Sequence, residues 1–425
     1  MTKINKTPIL RIGVILLIIL AISIAAASLI FEGKTDAPIY IDSVKYYSAI
    51  SKKTNSTDAK FDVWYFKNKA TRYNKGLAEL SAIASATEYN NTKKRPYAEA
   101  FLTQMGFDDI LPGNYSSKDT MSNKVGYTFA RKNVHIDGRK TTLVAVFIRG
   151  TTKGEWFSNF NITGDHKNGK PEDKHKGFAM AADSLNKDLE EYLSTHRIDV
   201  KSKDTKLWIT GHSRGAAVAN LLAADYTALN GNSRVYAYTF ATPNVTRTPN
   251  MINDERDDEY FNNIINFVSN QDFVTQVPLS KTKWKYQKNG RTFIVNSQDP
   301  EKKALMESEF KDLTGVDYAP YSKEKTAEAV TSMGKVAADV PMFYKGKTFS
   351  GINRKPIDYF NQIARICIYF GRDKYKVSTA FINKEGYSFG SKPYKKINSY
   401  FSEGNLGKFK HSHSPETYLC FVRAM

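Results

Sequence analysis

The sequence predicts an α/β fold, a mostly parallel sheet flanked by helices on both faces. Three observations carry that expectation. Between residues 143 and 272 the short runs LVAVFI, KLWIT, RVYAYTF and NIINFV alternate with the longer segments KGFAMAADSLNKDLEEYLSTH and GAAVANLLAADYTALN, whose apolar residues recur at helical spacing. Strand, helix, strand, helix, strand is the order in which crossover helices join parallel strands. The run LVAVFI is apolar without alternation, as a strand covered on both faces must be. A chain of 425 residues with 41% apolar and 13% aromatic content also holds a large core and excludes disorder.

Taken in order, the chain opens with Lys3, Lys6 and Arg11, followed by the uncharged stretch 12–31, long enough to cross a bilayer as a helix. Two readings compete: an uncleaved membrane anchor, or a signal peptide with apolar region 12–24 and a small-residue cleavage site at Ala25 and Ala27. Either one puts the remainder outside the cytoplasm. A polar linker covers residues 32–41, and residues 42–105 read mostly helical, with YNKGLAELSAIASATEY at three- and four-residue spacing and PYAEAFLTQMGF running from a proline to a glycine. From Lys124 the period changes. VGYTFARKNVHIDGRKTTLVAVFIRGT reads as a hairpin turning at Asp137-Gly138. The core spans residues 42–280. Residues 281–400 break the alternation and read as an inserted cap, in which TKWKYQKNGRTFIV suggests a hairpin, EKTAEAVTSMGKVAADVP a helix, and PIDYFNQIARICIYF a helix or a buried strand. Residues 401–425 return to the core.

A formal net charge of +19 raises the question of an anionic partner. The positive charge between residues 281 and 410 is spread out, without a long basic block, and no nucleic-acid motif accompanies it. A solvated basic surface is the first reading; attraction to anionic membranes or wall polymers is the second, and nucleic acid is not expected. Cys367 and Cys420 are the two cysteines. They form neither a disulfide framework nor a metal-ligand spacing, and read as buried thiols, one bridge being the alternative. No metal or cofactor is implied.

The G-x-S-x-G pattern occurs twice, around Ser213 and around Ser388, so spacing alone decides nothing. Context separates them. Ser213 follows a strand and opens a helix of small residues, Gly215, Ala216, Ala217 and Ala219. That arrangement exposes a hydroxyl on a sharp turn above a positive helix N-terminus. Ser388 lies among Lys384, Lys392 and Pro393, which is loop chemistry. A serine nucleophile needs a base, and the base a carboxylate, in the chain order Ser, Asp, His. Asp272 ends the run NIINFVSNQD and so emerges at the same sheet edge as Ser213, whereas Asp254, Asp257 and Asp258 lie in a charged connector. Among histidines only His411 and His413 follow Asp272. His413, just before a Ser-Pro-Glu helix start, is the better placed, as a loop histidine reaching over the sheet edge.

The motifs VAVFIRGT, HKGFAMA, WITGHSRGAA, YTFATPNV, INFVSNQDFVTQVPL and HSHSPETYL stand in one order along the chain. In that order they resemble the fungal-type (class 3) lipases of the α/β-hydrolase superfamily, over roughly residues 70–280 and 405–425. The resemblance implies that Thr151 and Arg214 supply the two oxyanion N–H groups, that His175 is structural, and that Trp156, Phe157 and Phe160 form part of an amphipathic lid. The stretch between Asp272 and His413 is longer than in such lipases, which implies a cap over the site. The expected function is hydrolysis of carboxylic esters of acylglycerol type by a Ser-His-Asp triad. A phospholipase or carbohydrate-ester esterase on the same triad, or a non-catalytic extracytoplasmic binding protein keeping the fold, are the alternatives.

Overall fold

The structure is a computed structural model that describes residues 35–90, 96–115, 124–151, 174–247, 251–252, 255–256, 259–280, 286–296, 299–344, 396, 399–400 and 406–425. The first described element is a hairpin, β1 (Ile39–Tyr47) with β2 (Thr54–Phe61), paired antiparallel. Helices α1 (Lys75–Thr87) and α2 (Tyr97–Gln104) follow. The central sheet is built from β3 (Asp108–Gly113), β4 (Tyr127–Ile136), β5 (Arg139–Ile148), β6 (Thr205–His212) and β7 (Val235–Phe240). A two-residue ribbon, β8 (Met251–Ile252) with β9 (Glu255–Arg256), stands apart from it. Two more strands, β10 (Ile264–Val268) and β11 (Arg291–Ile294), complete seven in the order β11-β10-β7-β6-β5-β4-β3. From β5 to β11 every pairing is parallel, while β4 and β3 join antiparallel at the far edge.

Alternation along the strands divides the core into two layers. On one face Leu143, Ala145, Phe147, Trp208, Tyr236 and Tyr238 pack against α1, the first hairpin and the C-terminal helix α8 (Pro415–Ala424). On the other, Val144, Val146, Leu207 and Ile209 meet α3 (Lys176–Thr195) and α4 (Arg214–Asn230). Trp208 is fully buried and its indole N–H donates to Ser81 Oγ at 2.8 Å, which satisfies the one polar atom that this ring brings into the core. A buried polar lattice under α4 links Asn220 to Asn266 at 2.9 Å and to the Asn289 carbonyl at 2.9 Å, tying that helix to β10 and to the entry of β11.

Helix α4 lies unusually close to the sheet, and the glycines of G-x-S-x-G make that possible. A Cβ on Gly215 would stand 2.2 Å from the Ile148 carbonyl oxygen, and one on Gly211 would stand 2.6 Å from the backbone of Gly215. Both clashes are with backbone, which cannot turn aside as a side-chain end can. Gly215→Ala is therefore expected to push α4 off β5 and cost roughly 2–3 kcal/mol, read as a lower urea midpoint. An unchanged midpoint would show that the contact is not tight.

Three expectations from the sequence are corrected. The segment 42–105 is not mostly helical, because 42–61 lies in the β1–β2 hairpin, and β1 already begins at Ile39, inside the expected linker. Its period is two: Ile41, Val44 and Tyr46 are buried on β1, and Thr57, Ala59 and Phe61 on β2. In the run TKWKYQKNGRTFIV, whose first four residues lie outside the described ones, Arg291–Ile294 pairs parallel to β10 as an edge strand of the main sheet and not with a hairpin partner. Helix α5 (Pro300–Thr314) also joins the main core, packing Met306 and Phe310 against β2 and α8, so the core continues past the expected boundary at residue 280, while residues 345–395 of the expected cap lie outside the described residues. The helix expected at EKTAEAVTSMGKVAADVP is present as α6 (Lys323–Tyr344), and the turn at Asp137-Gly138 is present with φ 50° and 74°. The N-terminal stretch 12–31, PIDYFNQIARICIYF, Ser388, Cys367, Asp254, Asp257 and Asp258 lie outside the described residues. Among the described residues no helix is long and apolar enough to cross a membrane.

Candidate active site

Strand β6 ends at His212 and α4 begins at Arg214, leaving Ser213 alone to turn the chain, at φ 59° and ψ −123°. For a residue with a Cβ this conformation costs on the order of 1–3 kcal/mol. It is held from both sides: the Ser213 N–H donates to the Phe240 carbonyl at 2.9 Å, and its own carbonyl accepts the first helical bond from Ala217 at 3.1 Å. The hydroxyl consequently stands over the N-terminus of α4, where the helix dipole favours developing negative charge.

His413 Nε2 lies 2.8 Å from Ser213 Oγ and His413 Nδ1 2.8 Å from Asp272 Oδ2. A carboxylate oxygen accepts, so Nδ1 carries the proton and Nε2 is left to accept from the serine hydroxyl. Asp272 is wholly buried and also receives the Tyr418 O–H on Oδ2 at 2.9 Å and the Val274 N–H on Oδ1 at 2.9 Å. All three of these groups donate to its oxygens. Burial, reinforced by the Asp272 charge, raises the Tyr418 pKa well above that of an ordinary phenol and keeps its proton in place. That phenol also accepts from the Ser269 N–H at 3.1 Å, bridging the two ends of the acid turn. Tyr418→Phe is expected to lower kcat about 3- to 10-fold and stability by roughly 1–2 kcal/mol. Calorimetry alongside ester turnover reads both, and an unaltered kcat would make Tyr418 purely structural.

The sequence placed His413 in a loop; it ends a helix instead, α7 (Leu406–His413). His411 sits on that helix two residues earlier and faces elsewhere. Its Nδ1 accepts from the Ala319 N–H at 3.0 Å and its ring lies against Phe310 and Tyr318, so of the two it is His413 whose ring stands between Asp272 and Ser213. His175 caps α3, its Nδ1 accepting from the Phe178 N–H at 3.3 Å, as expected of a structural residue. Cys420 is a buried thiol in α8.

Besides Tyr418, three participants were not read from the sequence: His212, Tyr89 and Lys288. His212 Nε2 lies 2.7 Å from the His413 carbonyl, an acceptor, so His212 carries its proton there and takes the Tyr89 O–H on Nδ1 at 2.8 Å. Burial lowers its pKa well below the usual imidazole range, keeping it a neutral hydrogen-bonding strut under the other histidine's backbone. The third, Lys288, ends its ammonium 2.8 Å from the Thr275 carbonyl, on the turn that carries Asp272. Their signal in the sequence is weak, because each acts through contacts with residues far along the chain.

Of the oxyanion candidates, Arg214 is buried as the first residue of α4, and its Nη2 lies 3.5 Å from the Lys124 carbonyl. Thr151 is partly exposed and follows Gly150, where an added Cβ would stand 2.7 Å from the His212 carbonyl. The Arg149-Gly150-Thr151 segment thus abuts the turn that carries the serine. Trp156, Phe157 and Phe160, the expected lid, lie outside the described residues. Among the described residues no group of three or more His, Cys, Asp or Glu side chains could hold a metal. The hydrogen-bonded series from Asp272 through His413 to Ser213 is chemically suited to activating a serine hydroxyl as a nucleophile.

Residues 145–282 match the family described as Lipase (class 3), which bears out the resemblance read from the motifs. No curated protein matches the chain in sequence. Among solved structures, similarity extends to a triacylglyceride lipase of Rhizomucor miehei, 16% identical over 53% of this chain and 80% of that one, with a TM-score of 0.35. A mono- and diacylglycerol lipase from Aspergillus oryzae is 19% identical over 54% of this chain and 82% of that one, TM-score 0.35. A lipase from Rhizopus microsporus var. chinensis is 16% identical over 63% and 80%, TM-score 0.35. Ser213, Arg214, Asp272 and Thr151 all lie within the matched residues 145–282, and His413 lies outside them.

Proposed function

We propose, on the premise of that class 3 lipase match, that the protein hydrolyses acyl esters of acylglycerol type at Ser213. The observation that carries this reading is the unbroken hydrogen-bonded series from Asp272 through His413 to Ser213, 2.8 Å at each step, ending on a strained turn over a helix N-terminus. Ser213 Oγ attacks the ester carbonyl as its proton passes to His413 Nε2, and the imidazolium is compensated by Asp272. The Thr151 and Arg214 N–H groups take the tetrahedral oxyanion, each worth roughly 3–4 kcal/mol in sites of this kind. The leaving alcohol takes the proton from His413, and water, activated by the same imidazole, releases the acid from the acyl-serine. No cofactor enters this scheme.

The uncharged stretch 12–31 behind basic residues supports an extracytoplasmic protein, anchored by that segment or secreted after its removal, and a net charge of +19 favours contact with anionic membranes. The test offers the full chain in mild detergent p-nitrophenyl esters of short and long acyl chains, a triacylglycerol emulsion and phospholipid vesicles. Release of fatty acid from the acylglycerol, faster than from phospholipid, is the expected result. Failure to cleave any acyl ester would overturn the reading, and preference for phospholipid would replace its substrate.

A further inference from the structure

Lys288 lies just before β11 and turns its ammonium inward. Its Nζ donates to Asn244 Oδ1 at 2.6 Å and to the Thr275 carbonyl at 2.8 Å, both on buried residues. Thr275 belongs to the turn that carries the triad acid, its Oγ1 donating to the carbonyls of Ser269 and Asp272, each at 2.9 Å. Asn244, on the segment leaving β7, grips the same turn from the other side. Its N–H donates to the Val277 carbonyl at 3.0 Å and its Nδ2 to the Pro278 carbonyl at 2.6 Å. One lysine therefore joins three separate stretches of chain around Asp272. Packing alone does not call for a cation here, since a neutral side chain of the same length would fill the space without the cost of taking a charge out of water.

We propose that Lys288 is a positioning residue for the triad acid: its ammonium fixes the turn that carries Asp272, and its positive charge on that turn offsets the pull of Asp272 on the His413 imidazolium. The inference rests on the assignment of Ser213, His413 and Asp272 made above. The sign follows from the charges: Asp272 favours the imidazolium, and a cation near Asp272 opposes it. Burial lowers the Lys288 pKa to about 7 while the Asp272 charge resists that fall. The ammonium is thus charged on the acid side of neutrality and fades above it. The other groups facing the pair do not compete in that range. Asn244 and Thr275 are uncharged, burial raises the phenols of Tyr318, Tyr400 and Tyr418 far above neutrality, and burial keeps His212 neutral beside His413.

The experiment follows the rate at which a fluorophosphonate labels Ser213 in the full chain, from about pH 5 to about pH 9, in the native protein, Lys288→Met, Lys288→Gln and Lys288→Arg. This readout depends on the activated serine and not on which ester is the substrate. Loss of the charge in Lys288→Met and Lys288→Gln is expected to move the midpoint of the acid limb up by roughly half to one pH unit, lowering the rate about 3- to 10-fold on that limb, and Lys288→Arg is expected to restore it. Two neutral variants guard against one that fails to fold. A midpoint that stays put in the neutral variants, whatever happens to the plateau, would overturn the inference, as would an arginine variant that behaves like methionine. A native chain that does not label at all is a different result, which removes the serine assignment itself.

Discussion

Ser213→Ala is expected to lower kcat on any cleaved ester by roughly 10^5- to 10^6-fold and to abolish fluorophosphonate labelling. The proposed mechanism runs through one oxygen, and no neighbouring hydroxyl shares the 2.8 Å approach of Ser213 Oγ to His413 Nε2 among the described residues. The loss should be chemical and not structural: alanine keeps the Cβ and the strained turn, and the backbone bonds to Phe240 and Ala217 do not involve the side chain. Ser213→Gly makes the complementary measurement. Glycine accepts φ 59° with ψ −123° without strain, so this variant is expected to be equally inactive yet about 1 kcal/mol more stable. Hydrolysis that persists within a hundredfold of native in the alanine variant would move the nucleophile elsewhere.

Asp272→Asn ranks second, with an expected loss of about 10^3- to 10^4-fold in kcat at neutral pH. The carboxylate receives His413 Nδ1–H and Tyr418 O–H on one oxygen and Val274 N–H on the other. An amide has one acceptor oxygen, so in either orientation its NH2 meets at least one donor. If it faces His413 and Tyr418, the imidazole must turn its proton toward Ser213 and ceases to be a base. If it faces Val274, the tautomer survives but the imidazolium loses its compensating charge. Both routes damage the proton transfer and leave binding intact, so KM should change little. A fall of less than tenfold would remove Asp272 from the catalytic set.

How much of this was legible in the sequence depended on how local each cause is. The parallel strands were readable because burial on both faces makes a run such as 143–148 apolar throughout. Ser213 was readable because the glycines and alanines that let α4 approach β5 stand within a few residues of it. Asp272 was found from its place at the end of an apolar run, and His413 from chain order, while its preference over His411 needed the contacts of both rings. The first hairpin was missed because its half-buried strands show the core only Ile, Val, Tyr, Thr, Ala and Phe at alternate places, diluted by Ser, Lys and Asp. Strand β11 was misread because four residues carry too little pattern to name a parallel partner. The supports of the site were invisible for a different reason: His212 meets His413 across 201 positions and Tyr418 meets Asp272 across 146, and nothing in the local sequence marks such meetings.

The close approach of α4 to the sheet has one more consequence. Ser213 and the segment leading to Thr151 are pressed together by backbone against backbone, with Gly215 against Ile148 and Gly150 against His212. Asp272 and His413 reach them from turns and helix ends secured by individual hydrogen bonds. The site is therefore half clamped and half tethered. Local opening at turns and helix ends precedes global unfolding, so ester turnover is expected to be lost on warming before the far-ultraviolet signal of the sheet and helices, and a simultaneous loss would show that the two halves open together.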